Sequence, residues 1–221
     1  MPESVLVIAS MAELTEALGP AADSGRTVIL IGGADFTEGG LEGGLRAFFG
    51  ILAGYLERTG SAVVDGGTDS GVMRLIAEAR TGIGGTFRLI GVAPALAFSR
   101  PTRTGAPIEV ARDHTLVVLV PGSRFGEETP WLFAAADHLA GGAAPTIIVN
   151  GGNLALDEAR QRLGAGHTVV AVAGSGRAAD ELAADALVAD EGLRASGRLR
   201  VIPLTADEAA IAAALERGMD R

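Results

Sequence analysis

The chain has 221 residues, a formal net charge of −9, no cysteine, and 18 basic residues that are all arginine. The length suits one domain with a sizeable core, and the acidic balance argues against a nucleic-acid partner, which needs a basic face. Without cysteine there is no disulfide, thiolate nucleophile or cysteine-ligated zinc; without lysine there is no Walker lysine, Schiff base or lysine general base, so any bound phosphate must be held locally.

The opening MPESVLVIAS lacks a basic n-region and reads as a first strand, SVLVIAS (4–10), not a signal peptide. No apolar run approaches the roughly 18 to 20 residues of a membrane span, so the protein is expected in the cytoplasm, away from membranes. TVILI (27–31) is the next strand. Residues 41–58 then place Leu41, Leu45, Phe48, Phe49, Leu52, Tyr55 and Leu56 at helical spacing and stop at Gly60. SAVVD (61–65) and RLIGVA (88–93) follow as strands. The connection 94–113, PALAFSRPTRTGAPIEVARD, is longer than most loops; it reads as a lid over a ligand or as a disordered insertion, and the lid is favoured because long ordered loops are usually functional.

TLVVLV (115–120) precedes a helix for which Thr129 is the expected N-cap and Pro130 the first-turn residue, ending at Gly141 and Gly142. TIIVN (146–150), TVVAVA (168–173) and RVIPL (200–204) complete the strands. The last helix opens with Thr205 and Glu208 in capping-box spacing and closes at Gly218. The strands are near-continuous apolar runs, the pattern of strands buried on both faces. Strict alternation with helices predicts a doubly wound, mostly parallel α/β sheet in a single domain spanning 1–221.

Glycines follow the strands repeatedly: Gly32 and Gly33, Gly66 and Gly67, Gly151 and Gly152, and Gly174 and Gly176 around Ser175. In such a sheet the carboxyl ends of the strands line the ligand crevice. A glycine there allows close backbone approach, and the helix that follows offers unpaired N–H groups to an anion. In DGGTDSGVM, Gly66 and Gly67 make the turn, Thr68, Asp69 and Ser70 present polar groups, and Gly71 lets the helix begin against the ligand. Tight strand-to-helix turns explain each site alone; four on one edge favour a nucleotide-sized ligand.

Arg177, in GSGRAAD, sits in a first helical turn, where the macrodipole disfavours a cation. It either pairs locally with Asp180 or clamps a phosphate beside glycine amides. PGSRFGEETPW contributes Gly122, Ser123, Arg124, Gly126 and Glu127 to the candidate ligand-binding set, and TIIVNGG adds Asn150. Glu127 and Glu128 precede a helix N-terminus, which stabilises carboxylates; they could also accept ribose hydroxyl bonds or act as acid or base on a glycosidic bond, and are the catalytic candidates. His114, His138 and His167 show no metal-ligand spacing, and no G-x-S-x-G elbow occurs.

Taken in order, TVILIGGADF, VVDGGTDSGVMRLI, LIGVAPAL, DHTLVVLVPGSRFGEE, TIIVNGG and VAGSGRAAD resemble the SLOG superfamily over roughly residues 26–188. Its members include the Lonely Guy phosphoribohydrolases and the N-terminal domain of melastatin-type TRP channels. DGGTDSGVM, HTLVVLV and GSGRAAD are most similar to the channel-type branch and its prokaryotic relatives. That resemblance implies a Rossmann-like fold and a nucleotide-derived ligand such as an ADP-ribose derivative. The PGG-x-GT-x-x-E motif of the Lonely Guy enzymes is answered by PGSRFGEE, with Ser123 for the second glycine and no threonine after Gly126. Their upstream arginine-lysine pair meets only Arg112.

The expectation is therefore a sensor or carrier of an ADP-ribose-like ligand or mononucleotide, with no metal, and self-association into a homo-oligomer. The alternative is an N-glycosidic hydrolase of nucleotides. A third class, an oligomeric scaffold with a vestigial pocket, has only the apolar helices in its favour.

Overall fold

The computed structural model describes residues 2–21, 25–33, 40–99, 109–188 and 197–216. Its strands are β1 (Val5–Val7), β2 (Thr27–Gly32), β3 (Ala62–Asp65), β4 (Leu89–Pro94), β5 (Leu116–Val120), β6 (Thr146–Val149), β7 (Val169–Ala173) and β8 (Leu199–Pro203). Its helices are α1 (Met11–Leu18), α2 (Leu41–Thr59), α3 (Gly71–Gly82), α4 (Thr129–Ala140), α5 (Asn153–Gly164), α6 (Arg177–Val188) and α7 (Glu208–Glu216). A 3₁₀ turn, Ala97–Ser99, follows β4. No described helix is long and apolar enough to cross a membrane.

The strands form one sheet in the order β1-β5-β4-β3-β2-β6-β7-β8. Every pairing is parallel. Successive residues of β2 serve two cores. Val28 and Leu30 pack with α2, α3 and α7 on one face, while Ile29 and Ile31 pack with α1, α4, α5 and α6 on the other. Two-sided burial is why these strands read as unbroken apolar runs. On the first face α2 buries Phe48, Phe49 and Tyr55 at 1% exposure or less, each such side chain contributing about 1.5–3 kcal/mol. The Phe48 and Phe49 rings meet edge to face at 5.7 Å.

Strand order reverses at β2. Its neighbours are β3, from which the chain runs outward through β4 and β5, and β6, from which it runs the other way. The chain reaches β6 from β5 through α4, on the opposite face from α3. The helices on either side of the β2 carboxyl end therefore diverge and leave a crevice.

Three sequence expectations are corrected. Within SVLVIAS the strand itself is shorter, Val5–Val7 in register with β5, flanked by hydrogen bonds at Ser4 and Ile8. Thr129 is the first residue of α4, with Glu128 at the N-cap; the Thr129 hydroxyl donates to Glu158 instead of capping its own helix. The Thr205–Glu208 capping box does not form: Asp207 Oδ1 accepts the Ala210 N–H at 2.9 Å, and Glu208 pairs with Arg58. The helix begins at Glu208, and Asp207, one residue before it, is the cap, accepting the amide three residues on. Of the long connection, residues 100–108 lie outside the described residues.

Beside the crevice, β4 presses on the turn after β3. Gly67 has φ +64°, and a Cβ on Gly91 of β4 would stand 2.4 Å from the Gly67 Cα. Backbone meets backbone there, so neither position accepts a side chain. Gly91→Ala is expected to lower stability by about 1–3 kcal/mol, the range for overpacking, read as a lower urea midpoint at unchanged m-value.

Candidate functional site

The crevice at the β2 switch point is a cavity of about 720 Å³, lined from Gly32, the 66–70 turn, the first turns of α3 and α4, and α5. That volume suits a nucleotide-sized ligand. Close approach makes it possible: a Cβ on Gly32 would lie 2.3 Å from the Val149 carbonyl oxygen and 2.7 Å from Val72. A glycine at the end of β2 thus lets α3 abut the sheet.

The mouth of α3 is rich in unpaired donors. Ser70 is its N-cap in extended conformation, yet its hydroxyl does not cap the helix; it shares a hydrogen bond with the Thr68 hydroxyl at 3.0 Å. The Val72 N–H donates to the Gly33 carbonyl and the Arg74 N–H to that of Ser70. The Ser70 and Gly71 amides make no hydrogen bond among the described residues. Gly71 (φ +52°) turns the chain into the helix there. Arg74, one turn on, lines the cavity with a half-exposed side chain whose nearest carboxylate, Glu78, is 3.8 Å away. Free amides, two hydroxyls and a guanidinium at a helix N-terminus make an anion cradle. Asp69 would oppose an anion there, but its carboxylate is paired with Arg112 at 2.9 Å.

The opposite side of the cavity is acidic. Glu128 and Glu158 both line it, at 4% and 5% exposure. Glu128 Oε2 accepts the Gly126 N–H at 2.7 Å, and Glu158 Oε1 accepts the Thr129 hydroxyl at 2.6 Å. Neither has an arginine in ion-pair range among the described residues. Burial pushes the Glu128 carboxyl above its usual range. Burial, reinforced by the neighbouring Glu128 charge, pushes Glu158 up to about 7 despite the Thr129 bond. A carboxyl so placed can both donate and accept near neutrality. Glu127 does different work: its carboxylate accepts the Ser123 N–H at 2.7 Å and pairs with Arg124, and those bonds hold it below the usual carboxylate range. It knits the Gly122–Gly126 loop. Leu30, Ile31, Met73, Phe125, Leu132 and Leu154 supply apolar wall.

A second group of expected residues meets at the ends of β6 and β7. Asn150 (φ +57°) donates its side-chain amide to the Ser175 carbonyl, and the Ser175 hydroxyl accepts the Asn150 N–H, both at 2.8 Å. The Gly151 N–H donates to Asn150 Oδ1 at 2.7 Å. The Gly151 and Asn150 carbonyls accept the Ala178 and Ala179 amides that open α6. Arg177 is exposed, at φ +50°, with Nη2 2.9 Å from where a Cβ on Gly152 would lie. The local pair with Asp180 is not made, because Asp180 accepts the Gly174 N–H at 2.6 Å.

The predicted residues thus divide. Gly32, Gly66, Thr68, Asp69, Ser70 and Glu128 line the cavity. Gly67 and Gly71 shape its turn, and Gly122, Ser123, Arg124, Gly126 and Glu127 form the adjoining loop. Asn150, Gly151, Gly152, Gly174, Ser175, Gly176 and Arg177 cluster beside it, joined through Gly33, where a Cβ would lie 2.8 Å from Asn150 Oδ1. Sequence reading missed Arg74, whose position three residues after Gly71 parallels the signal used for Arg177. It also missed Glu158, an acid in a polar helix whose burial no local pattern discloses. No group of acids and histidines that could hold a metal occurs among the described residues.

Because the folded protein raises the Glu158 carboxyl from 4.5 to about 7, it binds more protons than the unfolded chain between those values. Stability held below pH 4.5 is lost as pH rises through about 7. Glu158→Gln is expected to flatten that slope and to be more stable than the parent at pH 8 by up to about 3 kcal/mol, measured by urea unfolding across pH.

A family model described as "SLOG in TRPM, prokaryote" matches residues 26–213. No curated protein matches the chain. Among solved structures, the X-ray structure of TM1055, a Northeast Structural Genomics Consortium target, aligns with a TM-score of 0.59 at 19% identity, covering 87% of this chain and 99% of that one. At that identity the likeness carries the fold alone, which is Rossmann-like. Matched by that model over most of its length, and with the sheet and strand-end glycines in place, the chain belongs to the prokaryotic SLOG family of the TRPM type.

Proposed function

We propose that this protein binds a nucleotide-derived small molecule in the β2 crevice, as a sensor or carrier. The observation that carries the reading is the pair of unpartnered amides at Ser70 and Gly71, at the start of α3 beside a cavity that Ser70 and Arg74 line. A phosphate group suits that cradle, while the acidic side offers Glu128 and Glu158 to hydroxyl or amino groups of the sugar or base. The apolar wall, with Phe125 at 41% exposure on the rim, suits a base face. Membership of the SLOG family supports a nucleotide-related role.

The ligand's length is open to a direct comparison. AMP needs the cradle and cavity alone; ADP-ribose adds a second phosphate and a terminal ribose, which extend the ligand beyond the cradle in the direction of Gly33 and Arg177. In calorimetry, Arg74→Ala is expected to weaken both ligands by about 1.5–3 kcal/mol, the loss of a charge-assisted bond. Arg177→Ala is expected to weaken ADP-ribose and leave AMP unchanged. A parent protein that binds neither ligand contradicts the reading.

The buried Glu128 and Glu158 favour one further reading, hydrolysis of an N-glycosidic bond, since paired carboxylates in unlike environments can divide acid and base roles. Incubation with AMP and ADP-ribose, with free base followed by chromatography, tests it. Turnover abolished by both Glu128→Gln and Glu158→Gln establishes the hydrolase; no free base leaves the protein a binder.

A further inference from the structure

One buried hydrogen-bonded couple lies just behind the cavity wall, and neither member is among its lining residues. His114, just before β5, and Asp65, the last residue of β3, have wholly buried side chains. His114 Nε2 stands 3.0 and 2.9 Å from the two Asp65 oxygens, so that nitrogen carries the proton and donates. His114 Nδ1 is buried without a partner among the described residues. Asp65 Oδ1 also accepts the Gly67 N–H at 2.8 Å. The ring lies against Gly91, where a Cβ would be 3.4 Å from His114 Cδ2.

The few residues before His114 grip the same turn from its other side. The Asp69 N–H donates to the Glu109 carbonyl at 2.9 Å and the Ala111 N–H to the Gly67 carbonyl at 3.0 Å, bridging Thr68 to Val110. Arg112 pairs with Asp69. One stretch, 109–114, therefore holds residues 65, 67, 68 and 69, directly or through the bridge. These bonds occupy the Gly67 and Asp69 amides, while those of Ser70 and Gly71 have no partner among the described residues. An apolar pair would fill the His114 and Asp65 positions without the desolvation cost of buried polar groups, so packing alone does not account for them.

We propose that His114 is a positioning residue of the anion cradle: acting through Asp65, it pins the Gly67 amide inward and so aims the Ser70 and Gly71 amides at a bound phosphate. This rests on the reading of the crevice as a nucleotide site. His114 touches no ligand itself. Its influence falls on the phosphate end of a ligand and spares the base and sugar.

Three variants read by calorimetry with AMP and with adenosine test the assignment. Glutamine can place an amide nitrogen where the ring Nε2 lies, whereas asparagine falls short of Asp65 and phenylalanine fills the space without a donor. His114→Gln is expected to bind AMP within about threefold of the parent, and His114→Asn and His114→Phe about tenfold or more weaker. Adenosine affinity is expected to be unchanged in all three, a separation that a merely structural role would not produce. Comparing Gln with Asn preserves the test should Phe fail to fold. AMP affinity unaltered in a folded Asn or Phe variant overturns the assignment, as do equal losses for AMP and adenosine or a folded Gln variant that shows no rescue. A parent protein that binds adenosine but gains nothing from the phosphate refutes the cradle, and a parent that binds neither refutes the functional reading; either result removes this assignment too.

Discussion

Everything at the site follows from the hydrogen bonding of β2 to β3 on one side and β6 on the other. A parallel sheet covered on both faces must change direction somewhere, and at that change the covering helices part at the carboxyl edge. At the base of the gap the absence of a side chain at Gly32 lets α3 close on the sheet, since Val149 and Val72 leave no room for a Cβ. The apolar alternation of Val28 to Ile31 between two cores, the approach of α3 and the cavity are consequences of one strand's place in the order.

Electrostatics divides the cavity. On a chain of net charge −9, an anion gains no help from the protein as a whole and depends on local donors. Arg74 and the amides at the start of α3 supply them, and Arg112 offsets Asp69 nearby. Across the cavity, Glu128 and Glu158 have no cation in ion-pair range among the described residues, and burial raises both carboxyls above their usual range. A ligand with a phosphate at one end and hydrogen-bonding, uncharged groups at the other matches this polarity better than one anionic throughout.

Much of this was legible in the sequence because it is carried by short-range rules. The apolar runs marked the strands, and the glycines after β2, β3, β6 and β7 marked their carboxyl ends. Turn chemistry singled out Thr68 to Ser70, which line the cavity. What sequence could not supply was long-range pairing. Glu127 and Glu128 are adjacent and chemically alike, yet one closes a loop on Ser123 and Arg124 while the other turns inward. Glu158 becomes notable only when α5 brings it beside α4. Likewise Thr129 looked like a cap until its hydroxyl had a distant carboxylate to satisfy, and a pair with Asp180 stayed one of two readings for Arg177 until Asp180 took the Gly174 amide. His114 carried no spacing signal because its partner lies 49 residues away.

The central claim is that a phosphate-bearing ligand sits on the amides that open α3. Titrating AMP into ¹⁵N-labelled protein and following assigned backbone amides tests it most directly. The account predicts that the largest shifts fall on Ser70 and Gly71, with smaller ones at Gly66 and Thr68. Shifts centred on Gly174 to Arg177, or none at saturating AMP, would contradict it.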